Sequence, residues 1–336
     1  MKQTNHYLLQ TDDNYAKHLL VTVLSVQKHT PSEYHNVFYV IDDHIGTDTR
    51  AFMDRFAQRF GLELRFLDAS QIVSTLEEKN VPKWRGGYTT YLKLFALNKI
   101  EGVERVMYLD SDMIIQSDMS AVFAELDDTD ATLGMAEDMT ISFRFDYKKY
   151  ILQTDDKSVP YYNAGSILFD LPRWKKNRGE ERVLEFIQTN TTPLMYCEQD
   201  ILNVVFRNEI KQISNTYNFC TPMLFFKPKL MGKLFYWDQE HTDTYAALEK
   251  NYCVGHCFGV FAQRPWHKDS LHPLAADYVA LYEEIYEKSF DGAEAPSGTM
   301  EKLQYILYRV CRPLYGVMHR IFTNRVYASF IKNATK

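Results

Sequence analysis

Two aspartates one residue apart, Asp110 and Asp112, stand at the exit of the apolar run Val106 to Leu109. The run is short and part β-branched, so it reads as a buried strand. Residues i and i+2 of a strand point the same way, which would bring both carboxylates to one point at the strand's carboxyl end, where open α/β sheets bind ligands. Paired carboxylate oxygens suit a hard divalent cation, Mg2+ or Mn2+, that also takes phosphate oxygens. A D-x-D standing alone is more often a solvated turn, so the other polar clusters carry the decision.

There are four. Thr11-Asp12-Asp13-Asn14-Tyr15 follows the apolar Tyr7-Leu8-Leu9, and Tyr88-Thr89-Thr90-Tyr91-Leu92-Lys93 precedes the strand that leads to the aspartates. Tyr161 to Leu168 contains Asn163-Ala164-Gly165 and is followed by Glu198-Gln199-Asp200. Last comes His256-Cys257-Phe258-Gly259, then Arg264-Pro265-Trp266-His267. Cys253 and Cys257 flank His256, but the local sequence offers no fourth ligand for a structural zinc.

The elements that must position these residues alternate. Tyr7–Leu9, 36–41 and 62–67 read as strands, with helices over 15–28 and 49–60 between them, which predicts an α/β fold with a doubly wound, mainly parallel sheet. No G-x-G-x-x-G or Walker A loop follows the first strand, so a bound nucleotide would be held by Asp and Asn side chains together with a metal. Glu198 and Asp200 fall at the start of a helix, where i and i+2 do not share a face, so they do not form an acid–base pair.

Taken in order with the D-x-D, these segments resemble glycosyltransferase family 8, the retaining family of glycogenin and the bacterial lipopolysaccharide and lipooligosaccharide α-galactosyl- and α-glucosyltransferases. The resemblance spans about residues 6–270. It implies a GT-A-like nucleotide-sugar-binding domain, a UDP-hexose donor, a glycan or glycolipid acceptor, and Mn2+, with Mg2+ as the other candidate. Carried over by position, Asp12, Asn14 and Tyr15 meet the uridine and its ribose, with Thr11 and Ser111 in the same donor-binding set. Asp110, Asp112 and His256 hold the metal; Lys93 sits near the donor phosphates or sugar; Asn163 and Ala164 sit near the transferred hexose.

Bacterial members read H-x-x-G-x-x-K-P-W. Here two extra residues follow Gly259 and the basic residue is Arg264, whose guanidinium can grip phosphate oxygens in the lysine's stead. The resemblance puts Gln199 beneath the anomeric carbon. An amide is a poor nucleophile, so a front-face displacement is expected, with the carbonyl dipole of Gln199 stabilising the oxocarbenium-like transition state. A double displacement through Glu198 is the competing route, and Asp200 is expected on a sugar hydroxyl. Glucose and galactose differ at one hydroxyl, which Glu137, Asp138, Glu198 or Asp200 would read. The segment 141–160 is the expected lid over the acceptor.

Two other classes compete. An aspartyl phosphotransferase would carry Thr where Ile114 stands, and a non-catalytic UDP-sugar sensor would keep the fold. Composition narrows the field further. The net charge of −6 over 336 residues gives no basic footprint for nucleic acid. Five scattered cysteines fit a reducing compartment, and neither a signal peptide nor an apolar span is evident, so a cytoplasmic protein is expected. The catalytic domain is assigned to 1–287 and a linker to 288–299. Residues 300–336 form a tail with seven Lys or Arg against one Glu and apolar residues at helical spacing. That pattern is read as an amphipathic helix on the inner face of the plasma membrane, the alternatives being docking on its own domain or a dimer contact.

Overall fold

The computed structural model describes residues 2–258, 263–294 and 299–335. Gly259 lies outside them, as do residues 295–298 of the expected linker. The first third alternates as its periodicity predicts: β1 (Gln3–Thr11), α1 (Ala16–His29), β2 (Tyr34–Asp42), α2 (Thr47–Phe60), β3 (Glu63–Asp68), α3 (Ser70–Glu78), α4 (Thr89–Ala96) and β4 (Arg105–Leu109). After β5 (Met113–Ile115) and β6 (Leu133–Glu137) come α5 (Phe145–Leu152), β7 (Tyr162–Asp170), α6 (Leu171–Lys176), α7 (Gly179–Thr189) and α8 (Glu198–Val205). The remainder runs β8 (Ile210–Ile213), β9 (Phe219–Cys220), α9 (Thr221–Phe225), α10 (Pro228–Phe235), α11 (Gln239–Leu248), β10 (Val254–His256) and α12 (Ala275–Tyr286), closing with α13 (Thr299–Val310) and α14 (Arg312–Ala334).

Seven strands form the central sheet in the order β3-β2-β1-β4-β7-β6-β8. All neighbours pair in parallel except around β7, which runs antiparallel to both β4 and β6. Helices cover both faces, and the strands alternate between the two layers. Tyr7 and Leu9 pack into the layer with α1, and Leu8 into the layer with α4. Met107 and Leu109 of β4 likewise face one layer while Val106 and Tyr108 face the other. Burying each such aliphatic side chain contributes roughly 1.5–3 kcal/mol, and this fixes the register that brings the carboxyl ends of β1 and β4 side by side.

β4 ends at Leu109, so strand alternation does not align the two aspartates as the sequence suggested. The chain turns at Ser111 and Asp112 and enters a second, three-stranded sheet, β5-β10-β9. Asp112 and His256 come together because β10 pairs antiparallel with β5, setting His256 opposite Met113. Part of the expected linker is also structured: Lys268 N donates to Ala293 O at 2.8 Å, and Ala293 N to Trp266 O at 2.9 Å.

The tail is helical and breaks at Cys311, with Pro313 in the first turn of α14, where its missing N–H costs nothing. It packs on its own domain. A Cβ on Gly316 would come within 2.7 Å of Leu234 Cδ1, so α14 lies directly on α10. Arg320 donates to Lys233 O, and Arg144 donates to Asn324 Oδ1 at 2.7 Å. The tail also keeps an exposed apolar side, which includes Ile306, Val310, Val317 and Ile321. Among the described residues, no helix is long and apolar enough to cross a membrane.

Candidate functional site

The cleft lies at the carboxyl ends of β1 and β4, where the two sheets meet. One ligand atom from each of Asp110, Asp112 and His256 falls within 4.8 Å of the others. His256 Nε2 is 3.5 Å from Asp110 Oδ2 and 3.3 Å from Asp112 Oδ1. Its other ring nitrogen, Nδ1, meets Asn218 Oδ1 at 2.9 Å, which assigns the Nδ1 proton to that bond and turns Nε2 toward the carboxylates. Two carboxylates and an imidazole so oriented fit a divalent cation of the Mn2+ or Mg2+ kind. Gly165 makes room for them: a Cβ there would lie 2.2 Å from His256 Cε1 and 2.9 Å from Asp110 Oδ2.

Charge is concentrated here. Burial works against ionised Asp110, but Lys93 and His256 outweigh it and hold the carboxyl below the ordinary range. Asp112 is held low as well, by His256 and Arg264 against the same opposition from burial. Burial likewise opposes an imidazolium at His256, and the two aspartates override it and raise the ring well above its usual value.

Lys93 is no solvated lysine. It projects from α4 into the interior, 1% exposed, with Nζ 3.1 Å from Ala164 O, 3.2 Å from Glu198 Oε1 and 3.6 Å from Asp110 Oδ1. It also sits 4.2 Å from the centre of the Tyr108 ring. Burial alone would depress the ammonium, yet Asp110 and Glu198 raise it. Lys93 thereby ties the turn that carries Asp110 to the start of α8.

Around the three ligands the cleft opens in two directions. A cavity of about 250 Å³ on one side is walled by Thr11, Asp12, Tyr15, Tyr108 and Ser111. Asp12 Oδ1 accepts from Tyr15 N at 2.8 Å and so shapes the turn into α1, while Ser111 Oγ bonds Gln10 O at 2.6 Å and fastens the aspartate turn to β1. Asn14 is exposed on the same turn, beside this wall and not on it.

A cavity of about 440 Å³ on the other side holds Asn163, Ala164, Glu198 and Gln199. Their polar atoms form a chain. Ala164 N donates to Gln199 Oε1 (3.0 Å), Gln199 Nε2 to Asp138 Oδ2 (3.4 Å) and Asn163 Nδ2 to the same oxygen (3.1 Å). Asn218 Nδ2 donates to Asn163 Oδ1 at 2.8 Å, which links this chain to His256.

Asp200 departs from expectation. It is fully buried and accepts from Met195 N, Tyr196 N, Tyr147 Oη and Tyr161 Oη, so its carboxylate faces the protein and no sugar hydroxyl. The helical start does separate it from Glu198, whose carboxylate turns to Lys93 and the cavity. Arg264 Nη1 sits on Asp112 Oδ2 at 2.8 Å and on Cys257 O at 2.6 Å, beside the Asp110–Asp112–His256 cluster.

Two contributors escaped the sequence reading. Asn218, which orients His256, stands in an unmarked stretch. The α14 residues His319, Phe322, Thr323, Val326 and Tyr327 also line the larger cavity, and their i, i+3, i+4, i+7, i+8 spacing was the available signal.

A glycosyl transferase family 8 profile matches residues 6–270. A putative glycosyltransferase of Haemophilus influenzae is 27% identical over 220 residues, 65% of this chain and 64% of that protein, so the match spans slightly under two thirds of its length. A lipopolysaccharide 1,2-glucosyltransferase of Escherichia coli K12 is 22% identical over 307 residues, 88% of this chain and 82% of the relative. Among solved structures, the galactosyltransferase LgtC in complex with donor and acceptor sugar analogues superposes with a TM-score of 0.68 at 24% identity. It covers 83% of this chain and 95% of that one, a likeness of fold.

Proposed function

The chain belongs to glycosyl transferase family 8, and from that premise we propose that it moves a hexose, galactose or glucose, from a UDP-sugar to a glycan acceptor with retention, forming an α-linkage in cell-surface polysaccharide or lipo(oligo/poly)saccharide synthesis. The observation that carries this reading is the convergence of Asp110, Asp112 and His256 between a cavity suited to a nucleotide and a larger one suited to sugars. The lipopolysaccharide glucosyltransferase among the relatives supports the choice of product.

Asp110, Asp112 and His256 would hold Mn2+ or Mg2+, which supplies neutralisation of the charge that gathers on the departing diphosphate. The chain's own residues do the rest. Thr11, Asp12 and Tyr15 bind the nucleoside end. Arg264, beside Asp112, adds a cation on the diphosphate side. Asn163 and the Ala164–Gly165 backbone line the hexose side.

The bond from the anomeric carbon to the β-phosphate oxygen breaks, and the acceptor hydroxyl oxygen bonds to carbon on the face that oxygen leaves. The acceptor's proton passes to the departing phosphate oxygen. The pairing of Glu198 Oε1 with Lys93 lowers the nucleophilicity of this carboxylate and supports the front-face course. Gln199 presents its amide carbonyl dipole to the same cavity while accepting from Ala164 N.

The tail's exposed apolar side and its Lys and Arg residues support a place on the anionic inner face of the plasma membrane, with the catalytic domain in the cytoplasm. Deleting 300–336 should move the protein from the vesicle to the soluble fraction, and an unmoved protein would remove the anchor.

The primary test is UDP release from a panel of UDP-sugars, with Mn2+ and with EDTA, for wild type and Asp112→Asn. Metal-dependent turnover of one UDP-hexose, lost in the variant, is expected and names the donor. UDP binding without turnover on any acceptor would favour a sensor. Absence of metal-dependent binding would end the assignment. A glycosylated Glu198 trapped in wild type would replace the front-face course.

A further inference from the structure

We propose that α14 is the outer wall of the acceptor site and that the acceptor is an amphiphilic glycoside, its sugar seated in the 440 Å³ cavity and its apolar aglycone laid against α14. The proposal rests on the glycosyltransferase reading for the word acceptor. Its physical basis is independent of that reading.

One stripe of α14, His319, Phe322, Thr323, Val326 and Tyr327, lines the same cavity as Asp110, Gln199 and His256. A helix stripe that meets its own domain normally buries its apolar members. Here Phe322 remains 65% exposed and Val326 40% exposed, although both line the cavity. Apolar surface is therefore presented to the cavity and left uncovered by the described residues. Ile141, Met195, Pro222 and Phe235 extend the apolar lining on the facing side.

The stripe is held in place. Arg144 donates from Nη1 to Asn324 Oδ1 (2.7 Å) and from Nε to Thr140 O (3.1 Å), and its guanidinium lies 4.3 Å from the centre of the Tyr327 ring. Tyr327 Oη in turn bonds Tyr196 Oη, two residues before Glu198. α14 is thus clasped to the segments that lead into the catalytic residues.

The opening continues beyond the clasp. A groove of about 570 Å³ shares Arg144, Phe235 and Tyr327 with the cavity and runs on along Phe143, Leu234 and Ile331. A free sugar would occupy the polar inner end and leave the apolar wall at Phe322 and Val326 bare, because its hydroxyls find no partners there. A sugar with an alkyl or aryl group attached satisfies the polar inner end and the apolar outer end together.

The test measures binding of methyl and octyl β-glucoside and β-galactoside, below the micellar concentration and without donor, by equilibrium dialysis. For wild type the octyl glycosides should bind at least about tenfold more tightly than the methyl ones, the effect of burying about two methylenes. Phe322→Ser with Val326→Ser should cut that preference to under about threefold, while Val317→Ser on the exposed side of α14 should leave it intact.

Photolabelling of unaltered protein with a diazirine-bearing alkyl glucoside gives a second reading, and the adduct should map to 312–334 or to the facing residues. Equal binding of methyl and octyl glycosides would overturn the proposal, as would a preference undiminished in the double variant or adducts confined elsewhere. If UDP-hexose turnover fails while the octyl preference stands, the transferase reading falls and the amphiphile site remains. If turnover succeeds and the preference is missing, the wall assignment falls alone.

Discussion

Lys93 shows how one side chain can join two functions. Its ammonium is buried between Asp110, which would hold the metal, and Glu198, which opens α8. Replacing it with Met of similar length strips two acidic groups of their shared cation, and breaking a buried pair from one side costs about 3–5 kcal/mol. Lys93→Met should therefore lower the Tm by several degrees and weaken metal binding as well, read by thermal melts with and without Mn2+. A variant as stable and as metal-responsive as wild type would show Lys93 to be a bystander. Gly165 makes the complementary point through volume. The methyl of Gly165→Ala would collide with His256 and press on Asp110, so both ligands must shift. Because metal sites lose roughly 10–100-fold in affinity when ligand orientation is disturbed, titration with Mn2+ should show a loss of about tenfold or more in a folded protein. Unchanged affinity would place the metal elsewhere.

At the scale of elements, the segment entering α8 depends on Asp200. Four donors converge on its carboxylate, and the chain beside it passes through Cys197 at φ +39°, a conformation L-residues rarely adopt. Asp200→Asn puts an NH2 where donors already crowd, at a cost of about 1–3 kcal/mol for the bonds lost. Hydrogen exchange should quicken at residues 195–197 and transfer should fall, while UDP binding at the Thr11–Asp12 side holds; protection unchanged at 195–197 would refute this role. The β-α-β-α-β run at the start was legible because each element is long enough to show its period. The second sheet was not, since strands of two or three residues such as β9 and β10 carry no periodic signal, and it is this sheet that brings His256 to Asp112. The candidate metal-binding residues were thus legible as residue types in order, but the turn that joins the aspartates was mistaken for strand alternation. In the tail, helical spacing was plain and its covering surface was not. Apolar residues stand on more than one side of α14, and spacing alone does not say which side meets protein.

For the whole molecule, charge and burial act together. The tail carries an excess of positive charge and the rest of the chain an excess of negative charge. Acid acts against the body at two interior histidines. His18 on α1 stacks at 4.0 Å from Trp266 and meets Tyr278 of α12 at 2.7 Å, while His272 accepts from Leu274 N and packs edge-on to Phe225. Burial pushes both rings down from 6.5 to about 3, so the fold keeps them neutral. The unfolded chain takes up these protons near pH 6.5 and the folded one only near pH 3. Their contribution to stability is therefore fully present above pH 6.5 and falls as the pH drops toward 3, by up to about 1.4 kcal/mol per unit for each histidine. Melts at pH 6.0, 5.5 and 5.0, below the range where the raised His256 sets the slope, should show a falling Tm, and His272→Gln should flatten that fall. A flat Tm over that range, or a variant as steep as wild type, would mean that these rings carry a proton in the fold. In that case the contacts joining α1, α12 and the Arg264–Trp266 segment would be held by charge and not by apolar packing.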